Sequence, residues 1–178
     1  MRNYKILSKQ SFEEGDYSLV PLRHEDRYKI MHWRNEQVFH LRQSEKLTTE
    51  KQDLYFKNVI NNLFDQNYPN QILFSFLKKN KCVGYGGLVH INWNDKTAEI
   101  SFVMETSLEK DYFEFHWCTF LNMIEKTAFK VIGLVKIYTH AFDLRPLLYS
   151  ALEKQNFIME KTYTDNYNNR VVIHSKIK

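Results

Sequence analysis

The pattern that most suggests a chemical site is one face of a predicted strand. Alternation along the strand predicted from Thr97 to about Met104 puts one set of side chains on a common face: Glu99, Ser101, Val103 and Glu105. A carboxylate there can accept a proton in acid–base chemistry. It can equally pair with a basic group on a neighbouring strand, and Glu105 can simply begin the following loop.

A cluster of glycines lies on the preceding predicted strand. Of the 5 glycines in the chain, Gly84, Gly86 and Gly87 fall between positions 84 and 87. Glycine weakens a strand interior, so such a cluster indicates either a bulge that bends the sheet or a close approach by a ligand or another strand. Spacing alone leaves both interpretations open.

Metal and disulfide chemistry find little support. His90, His116 and His140 are spread over separate predicted elements without the spacing of metal ligands, so we expect no metal site. Cys82 and Cys118 show no short-spacing motif and fall in predicted core segments. Two buried free thiols in a reducing compartment are the simpler interpretation.

Length and composition predict one folded domain over residues 1–178, with residues 1–16 as an N-terminal extension. Apolar residues make up 43% of the chain and aromatic residues 15%, which argues against disorder. The net charge of +4 is spread out. It favours an anionic ligand such as a phosphate-bearing cofactor, but lacks the clustering expected of a nucleic-acid partner. No signal-like apolar core is present, so we expect a soluble cytoplasmic protein without a membrane partner.

Periodicity predicts the element order β-α-α-β-β-β-α-β-α-β-β. Helices are predicted over 24–41, 49–64, 111–132 and 145–155, and strands over 17–23, 72–77, 82–91, 97–104, 134–142, 157–164 and 170–177. Thr49 and Gln52 are predicted to form a capping box, Gly133 to close the long helix, and Asp143 to cap the last helix. The fold class is therefore α/β (α+β): one mixed, mostly antiparallel sheet with helices on both faces.

This order and several short motifs resemble the GNAT superfamily of acetyl-CoA-dependent N-acetyltransferases. The motifs are VGYGGL at 83–88, AEISF at 98–102, KIY at 136–138 and LEKQNF at 152–157. LVPLR at 19–23 and WRN at 33–35 are similar to the branch that holds ribosomal-protein N-terminal and nucleotide-amino-sugar acetyltransferases. The resemblance covers about residues 17–177.

The resemblance implies acetyl-CoA as co-substrate and assigns roles to named positions. The cofactor would lie along Ser101, Phe102 and Val103, where two strands splay apart, and its pyrophosphate would reach the next helix at Lys110, Asp111 and Tyr112. Glu99 is the expected general base. Tyr149 is the expected acid, because Leu152 occupies the position where the family often has a tyrosine.

The resemblance also implies an acceptor site at Arg34, Asn35, Tyr85 and His90. Arg34 can hold a substrate phosphate or carboxylate in a two-pronged hydrogen bond, although a surface ion pair is its other interpretation. The expected partner is a small-molecule amine, with a nucleotide-linked amino sugar preferred, or a peptide N-terminus. We expect a monomer or a homodimer.

One segment departs from the family pattern. The loop expected to hold the pyrophosphate, residues 106–114, contains no glycine and carries Glu109, Asp111 and Glu114. The acidic side chains repel a phosphate, and without glycine the backbone amides approach it less closely. Two functions therefore stay open: an N-acetyltransferase, or a non-catalytic GNAT-fold binding protein with a degenerate cofactor loop.

Overall fold

The computed structural model describes residues 2–178, and in that range the sheet has eight strands. They are β1 (Phe12–Glu14), β2 (Tyr17–Pro21), β3 (Ile72–Lys78), β4 (Lys81–Asn92), β5 (Thr97–Met104), β6 (Lys136–Phe142), β7 (Ile158–Thr164) and β8 (Arg170–Ile177). Four helices accompany them within residues 2–178. Helix α1 is Arg27–Glu36; α2 is Thr49–Tyr55, continued by a π turn at Phe56–Ile60 and by Asn61–Leu63; α3 is Glu109–Glu125, continued by a π turn at Lys126–Ile132; and α4 is Pro146–Lys154.

The sheet order is β1-β2-β3-β4-β5-β6-β8-β7. All neighbouring pairs are antiparallel except β5 and β6, which are parallel. Helices α3 and α4 pack together on one face of the sheet, and α1 contacts β5 from the other. The predicted single mixed, mostly antiparallel sheet is thus confirmed.

Two faces of β5 serve different purposes. On the α3 face, the Phe102 ring stacks on Phe120 with centroids 4.2 Å apart and meets Trp117 edge-on at 5.1 Å. Burying such rings is a major source of core stability. On the opposite face, β5 presents Glu99, Ser101 and Val103 toward α1 and α2. Core packing therefore holds β5 in place from its α3 face, and the opposite face of the strand is available for chemistry.

The glycine cluster on β4 reflects the close approach of neighbouring strands. A Cβ on Gly86 would lie 2.2 Å from the Ser101 carbonyl oxygen and 3.1 Å from Cζ of Phe120. The register between β3 and β4 also shifts beside the first glycine, because Gly84 pairs with Phe76 whereas Cys82 pairs with Leu77. Both interpretations therefore apply: close approach of strands at Gly86 and a bulge adjoining Gly84.

Residues 2–16 are integrated into the fold. Strand β1 pairs with β2, and the Tyr4 hydroxyl exchanges hydrogen bonds with the backbone of Leu73 at 2.9 and 3.0 Å. Tyr4 is only 1% exposed and stacks on Phe64. The N-terminal segment therefore contributes to the core beside β3.

Several predicted boundaries differ from the observed ones. The helix predicted over 24–41 is α1, which ends at Glu36, with short 3-10 turns at His24–Asp26 and Val38–His40. The N-cap of α2 is Thr48, whose hydroxyl accepts from the Lys51 amide, instead of the predicted Thr49. Gly133 closes α3 with φ of 78°, as predicted. Within residues 2–178, no helix combines the length and apolar character needed to cross a membrane.

Candidate active site

The candidate site is a V-shaped gap between β5 and β6. These parallel strands pair only at Thr97–Lys136, Ala98–Ile137 and Glu99–Tyr138. Beyond Glu99, β5 continues to Met104 and β6 to Phe142 without pairing to each other. Backbone groups on diverging strands can bind an extended ligand or stabilise a developing oxyanion. The gap starts beside Glu99 and opens toward α3 and α4.

The segment that follows α1 lies along this gap. The Gln37 side chain donates from Nε2 to the Met104 carbonyl oxygen at 2.8 Å, near the open end. Five residues later, the Arg42 guanidinium forms an ion pair with the Glu99 carboxylate at the closed end. Because the helix stops at Glu36, this segment is free to follow β5 and contributes two side chains to the site.

Glu99 is a nearly buried carboxylate with two basic neighbours. Its side chain is 6% exposed, and His90 Nε2 lies 3.9 Å from Glu99 Oε2. Burial raises the pKa of Glu99, and the charges of Arg42 and His90 partly oppose that rise. A carboxylate with a raised pKa is better matched to proton uptake near neutral pH. The setting therefore suits a general base.

His90 reaches Glu99 through an unusual backbone conformation. Its φ is +49°, in the left-handed region that side-chain-bearing residues seldom adopt. The irregular pairing between Val89 and Asn92 places His90 outside the regular β4–β5 register. Strained positions of this kind are enriched at functional sites. The side chain is 67% exposed, so it connects the buried carboxylate with solvent.

Two adjoining cavities lie on the α1 face of the sheet. The inner one has a volume of about 270 Å³ and is mostly apolar, with walls from Leu22, Ile30, Tyr55, Phe56, Leu73 and Tyr85. The outer one has about 490 Å³ and a more polar lining that includes His40, Arg42, Asn70, His90 and Phe142. Arg34, Gln71, Val89 and Ser101 line both, so the two cavities form one continuous acceptor-sized space.

Arg34 stands at the junction of these cavities. Its Nη1 donates to the Tyr85 hydroxyl at 2.7 Å, and its Nε donates to Gln43 Oε1 at 2.9 Å. Among residues 2–178, no carboxylate lies within ion-pair distance of its guanidinium. A half-buried cation without a counter-charge favours an anionic ligand. The alternative of a surface ion pair does not apply.

Three side chains meet at the open end of the gap. Arg145 Nη2 donates to Glu109 Oε1 at 2.5 Å, and its Nη1 lies 2.8 Å from His40 Nε2. Arg145 begins α4 and Glu109 begins α3, so their ion pair joins the elements that follow β6 and β5. Burial and the Arg145 charge lower the pKa of His40 to about 3, so His40 is neutral at pH 7 and accepts from Arg145.

Two of the three acidic residues of the loop, Glu109 and Glu114, have basic partners, whereas Asp111 forms no ion pair within residues 2–178. Besides Glu109, Glu114 accepts from Ser150 at 3.0 Å and forms an ion pair with Lys154. Helix α3 begins at Glu109, its N-cap is Leu108, and that cap makes no side-chain hydrogen bond. Asp111 is therefore inside the first turn and does not cap the helix. The repulsion suggested by sequence is reduced by these pairs.

The other predicted site residues differ in their relation to this gap. The Phe102 side chain is in the core, so only its backbone faces the gap, and Val103 lies opposite Tyr85 in the register. Asn35 exchanges hydrogen bonds with the Leu47 backbone at 2.7 and 2.8 Å, which shapes the acceptor loop.

Two of the predicted pyrophosphate contacts on α3 do not face the gap with their side chains. Lys110 is exposed. The Tyr112 ring stacks on His116 and lies 5.4 Å from Lys78 Nζ, on the β3 and β4 side of β5 and away from β6.

Tyr149 is oriented by contacts on the α4 side. Its hydroxyl donates to Asp143 Oδ1 at 2.5 Å, and its ring stacks on His174 with centroids 5.1 Å apart. Asp143 therefore accepts a hydrogen bond from Tyr149 and does not cap α4 as predicted: the N-cap of α4 is Arg145, and no side chain caps its first turn. Glu99, by contrast, contacts the segment after α1. The acid role of Tyr149 stays a prediction.

Sequence reasoning missed four side chains of this site: Gln37, His40, Arg42 and Arg145. Gln37 and His40 fall inside the helix predicted over 24–41, Arg42 directly follows its predicted end, and Arg145 is predicted only as a helix start. The single local signal was their polar character next to the helix that carries Arg34. Within residues 2–178, no three His, Cys, Asp or Glu side chains come together as a metal site would require.

Solved structures that share this architecture include spermidine N-acetyltransferases. A spermidine N-acetyltransferase from Vibrio cholerae, solved with CoA and spermine, superposes with a TM-score of 0.75 at 18% identity, covering 92% of this chain and 96% of that one. A dodecameric form of the spermidine N-acetyltransferase from the same organism gives 0.72 at 18% identity, covering 92% and 95%. At this identity the likeness shows the fold alone. No curated protein sequence matches the chain.

The sequence itself settles the family. Residues 19–145 match the family described as Acetyltransferase (GNAT) domain, which is more than half of the chain. The matched range includes the V-shaped gap, the acceptor cavities and both residues of the Arg145–Glu109 pair. The chain therefore belongs to the GNAT acetyltransferase family, whose enzymes take their acetyl group from acetyl-CoA.

Proposed function

We propose that this chain transfers an acetyl group from acetyl-CoA to the primary amine of a small molecule that also carries an anionic group. A nucleotide-linked amino sugar is the preferred acceptor and a protein N-terminus the second. The observation that carries this proposal is Arg34, a guanidinium facing the acceptor space without a carboxylate partner among residues 2–178.

The charge of the acceptor space argues against a polyamine. Arg34 and Arg42 both line the outer cavity; Arg42 is paired with Glu99, whereas Arg34 has no carboxylate partner among residues 2–178. Two unit charges of like sign at about 4 Å repel by roughly 4 kcal/mol at an effective dielectric constant near 20. Spermine, bound by the Vibrio cholerae neighbour, carries only positive charges. A phosphate or carboxylate would instead satisfy Arg34.

The chemistry assigned to the site needs a base beside the gap. Acetyl-CoA supplies a thioester carbonyl that an unprotonated amine can attack. Glu99, buried and with a raised pKa, takes the proton from the acceptor ammonium, directly or through water. Arg42 and His90 keep the carboxylate oriented. Backbone groups of β5 beyond Glu99 are the donors available to the developing oxyanion. The departing thiolate needs a proton donor, for which Tyr149 is the candidate from sequence.

A second function has a specific observation in its favour. The Arg145–Glu109 pair joins the two sides of the gap at its open end, where the family admits its cofactor, and the loop has no glycine. A non-catalytic GNAT-fold partner protein would tolerate both features. Binding of the cofactor separates the two functions.

The test combines binding with an acceptor panel. Thermal unfolding is followed with acetyl-CoA and with CoA, since a ligand at 100 times its Kd adds about 2.7 kcal/mol of stability. Release of free thiol is then measured with a nucleotide-linked amino sugar, a short peptide and spermidine. We expect a stabilising shift with both cofactors and turnover only with the anionic acceptor. A shift without turnover on any amine would favour the partner protein, and turnover fastest with spermidine would refute the anionic acceptor.

The remaining expectations are proposals of the same kind. A single domain over residues 1–178, a cytoplasmic location, and a monomer or homodimer follow from the sequence. The branch of the family likewise stays a prediction, because the similar structures are spermidine N-acetyltransferases.

A further inference from the structure

Arg145 combines three features that the site described so far does not use. Its side chain is 13% exposed, its guanidinium lies over the Phe113 ring at 4.5 Å, and it contacts both Glu109 and His40. These contacts hold one cation at the open end of the gap. Burial lowers the pKa of Arg145, and the charge of Glu109 opposes that effect.

The partners of Arg145 suit an exchange of anions. Glu109 is the first residue of α3, whose N-terminal amides are not capped by a side chain. Any anion drawn to those amides lies within reach of the guanidinium that Glu109 now holds. Arginine offers five N–H donors in a fixed fork that matches phosphate oxygens. Because His40 is neutral, Arg145 can move away from it without leaving an unpaired buried charge on His40.

We propose that Arg145 is the receptor for the pyrophosphate of the cofactor, and that it exchanges Glu109 for this anion when the cofactor binds. Glycines in residues 106–114 would let backbone amides approach the pyrophosphate closely. Because this loop has no glycine, the Arg145 guanidinium supplies the hydrogen-bond donors instead. Glu109 acts as an internal competitor for the same guanidinium. This inference rests on use of acetyl-CoA in the proposed function and adds the residue that recognises the charge of that cofactor.

The chain supplies a matched control. Lys154 and Glu114 form a second ion pair between α4 and α3, built from the same helices at a different position. If pairing between these helices merely supports the fold, removal of either pair should affect binding equally. If Arg145 binds the pyrophosphate, only substitutions in the Arg145–Glu109 pair should change the affinity for CoA.

The experiment is calorimetric titration of CoA, and of pantetheine as the probe without phosphates. We compare the wild type with Arg145→Gln, Arg145→Lys, Glu109→Gln, Lys154→Gln and Glu114→Gln. Arg145→Gln should weaken CoA binding roughly 10- to 100-fold, as expected for loss of charge-assisted hydrogen bonds. It should change pantetheine binding less than about twofold. Arg145→Lys should recover part of the loss, and Glu109→Gln should tighten CoA binding. The two variants of the control pair should bind CoA like the wild type.

Several outcomes would overturn the inference. If Arg145→Gln weakens the binding of CoA and of pantetheine equally, Arg145 supports the shape of the gap and does not bind phosphate. Tighter CoA binding by that variant would show that Arg145 only obstructs the gap. Glu109→Gln keeps Arg145 in place, so unchanged CoA affinity in that folded variant refutes the exchange even if Arg145→Gln does not fold. Absence of CoA binding by the wild type refutes both proposals, whereas the expected pattern without acetyl transfer refutes the proposed function alone.

Discussion

Replacing Glu99 with glutamine tests the assignment of the general base. The substitution keeps the shape of the side chain and a hydrogen-bond acceptor for Arg42, but removes the capacity to accept a proton. General bases contribute roughly 10²- to 10⁴-fold to rate, so kcat should fall by that factor, equivalent to roughly 2.7–5.4 kcal/mol of transition-state stabilisation. Affinity for acetyl-CoA should be nearly unchanged.

The structure also sets the expected effect of Glu99→Gln on stability. Arg42 is 43% exposed, so water can hydrate its charge once the carboxylate is gone. The loss from this half-exposed pair should therefore stay below roughly 1 kcal/mol. Burial raises the folded pKa of Glu99 above its ordinary value of 4.5, so its contribution to stability is full below pH 4.5 and is lost as pH rises through the folded pKa. The Glu99→Gln variant should lack this decline of unfolding free energy with rising pH.

The assay is initial-rate kinetics between pH 4.5 and 8 with unfolding measured in parallel. For the wild type, kcat/KM should rise with pH through the raised pKa of Glu99, because only the carboxylate can accept a proton. Glu160→Gln is the matched control, since Glu160 is a strand carboxylate paired with Lys136 at 2.7 Å on the far edge of the sheet. A Glu99→Gln enzyme with normal kcat, or with the same acid limb as the wild type, would refute the assignment.

Three further substitutions test other parts of the structure. Arg34→Lys should raise KM for an anionic acceptor by roughly tenfold with little change in kcat, because lysine cannot form the two-pronged hydrogen bond of a guanidinium. Steady-state kinetics that show an unaltered KM for every active acceptor would remove Arg34 from the site. Tyr149→Phe should cost about 1–3 kcal/mol of unfolding free energy in urea titration through the lost bond to Asp143. If Tyr149 is the acid, its loss should also lower kcat by roughly 10²- to 10⁴-fold, and a kcat within about threefold of the wild type would remove Tyr149 from that role. Gly86→Ala should destabilise by roughly 1–3 kcal/mol, since its Cβ would meet the Ser101 carbonyl at 2.2 Å; an unchanged urea midpoint would show that β4 and β5 can separate freely.

The sequence by itself determined the fold class, the order of elements from β2 onward and, through its motifs, the family. The elements follow from local periodicity: alternation on β5 placed Glu99 and Ser101 on one face, and the apolar spacing of α3 placed Phe113 and Trp117 in the core. Strand β1 was missed, because three residues are too few to show alternation. Glycine at position 133 was readable as a helix end because its left-handed conformation depends on few neighbours.

The tertiary structure alone decided which charges meet. No local signal ended α1 at Glu36, and the path of the next residues is set by contacts with β5, such as Gln37 to Met104, which are 67 positions apart. Arg145 and Glu109 are 36 positions apart and meet because β5 and β6 stop pairing after Glu99. An ion pair depends on distance in space, which periodicity does not encode. The loop whose sequence suggests repulsion of phosphate therefore has Glu109 and Glu114 paired in the fold, and the largely buried Arg145 lies beside it.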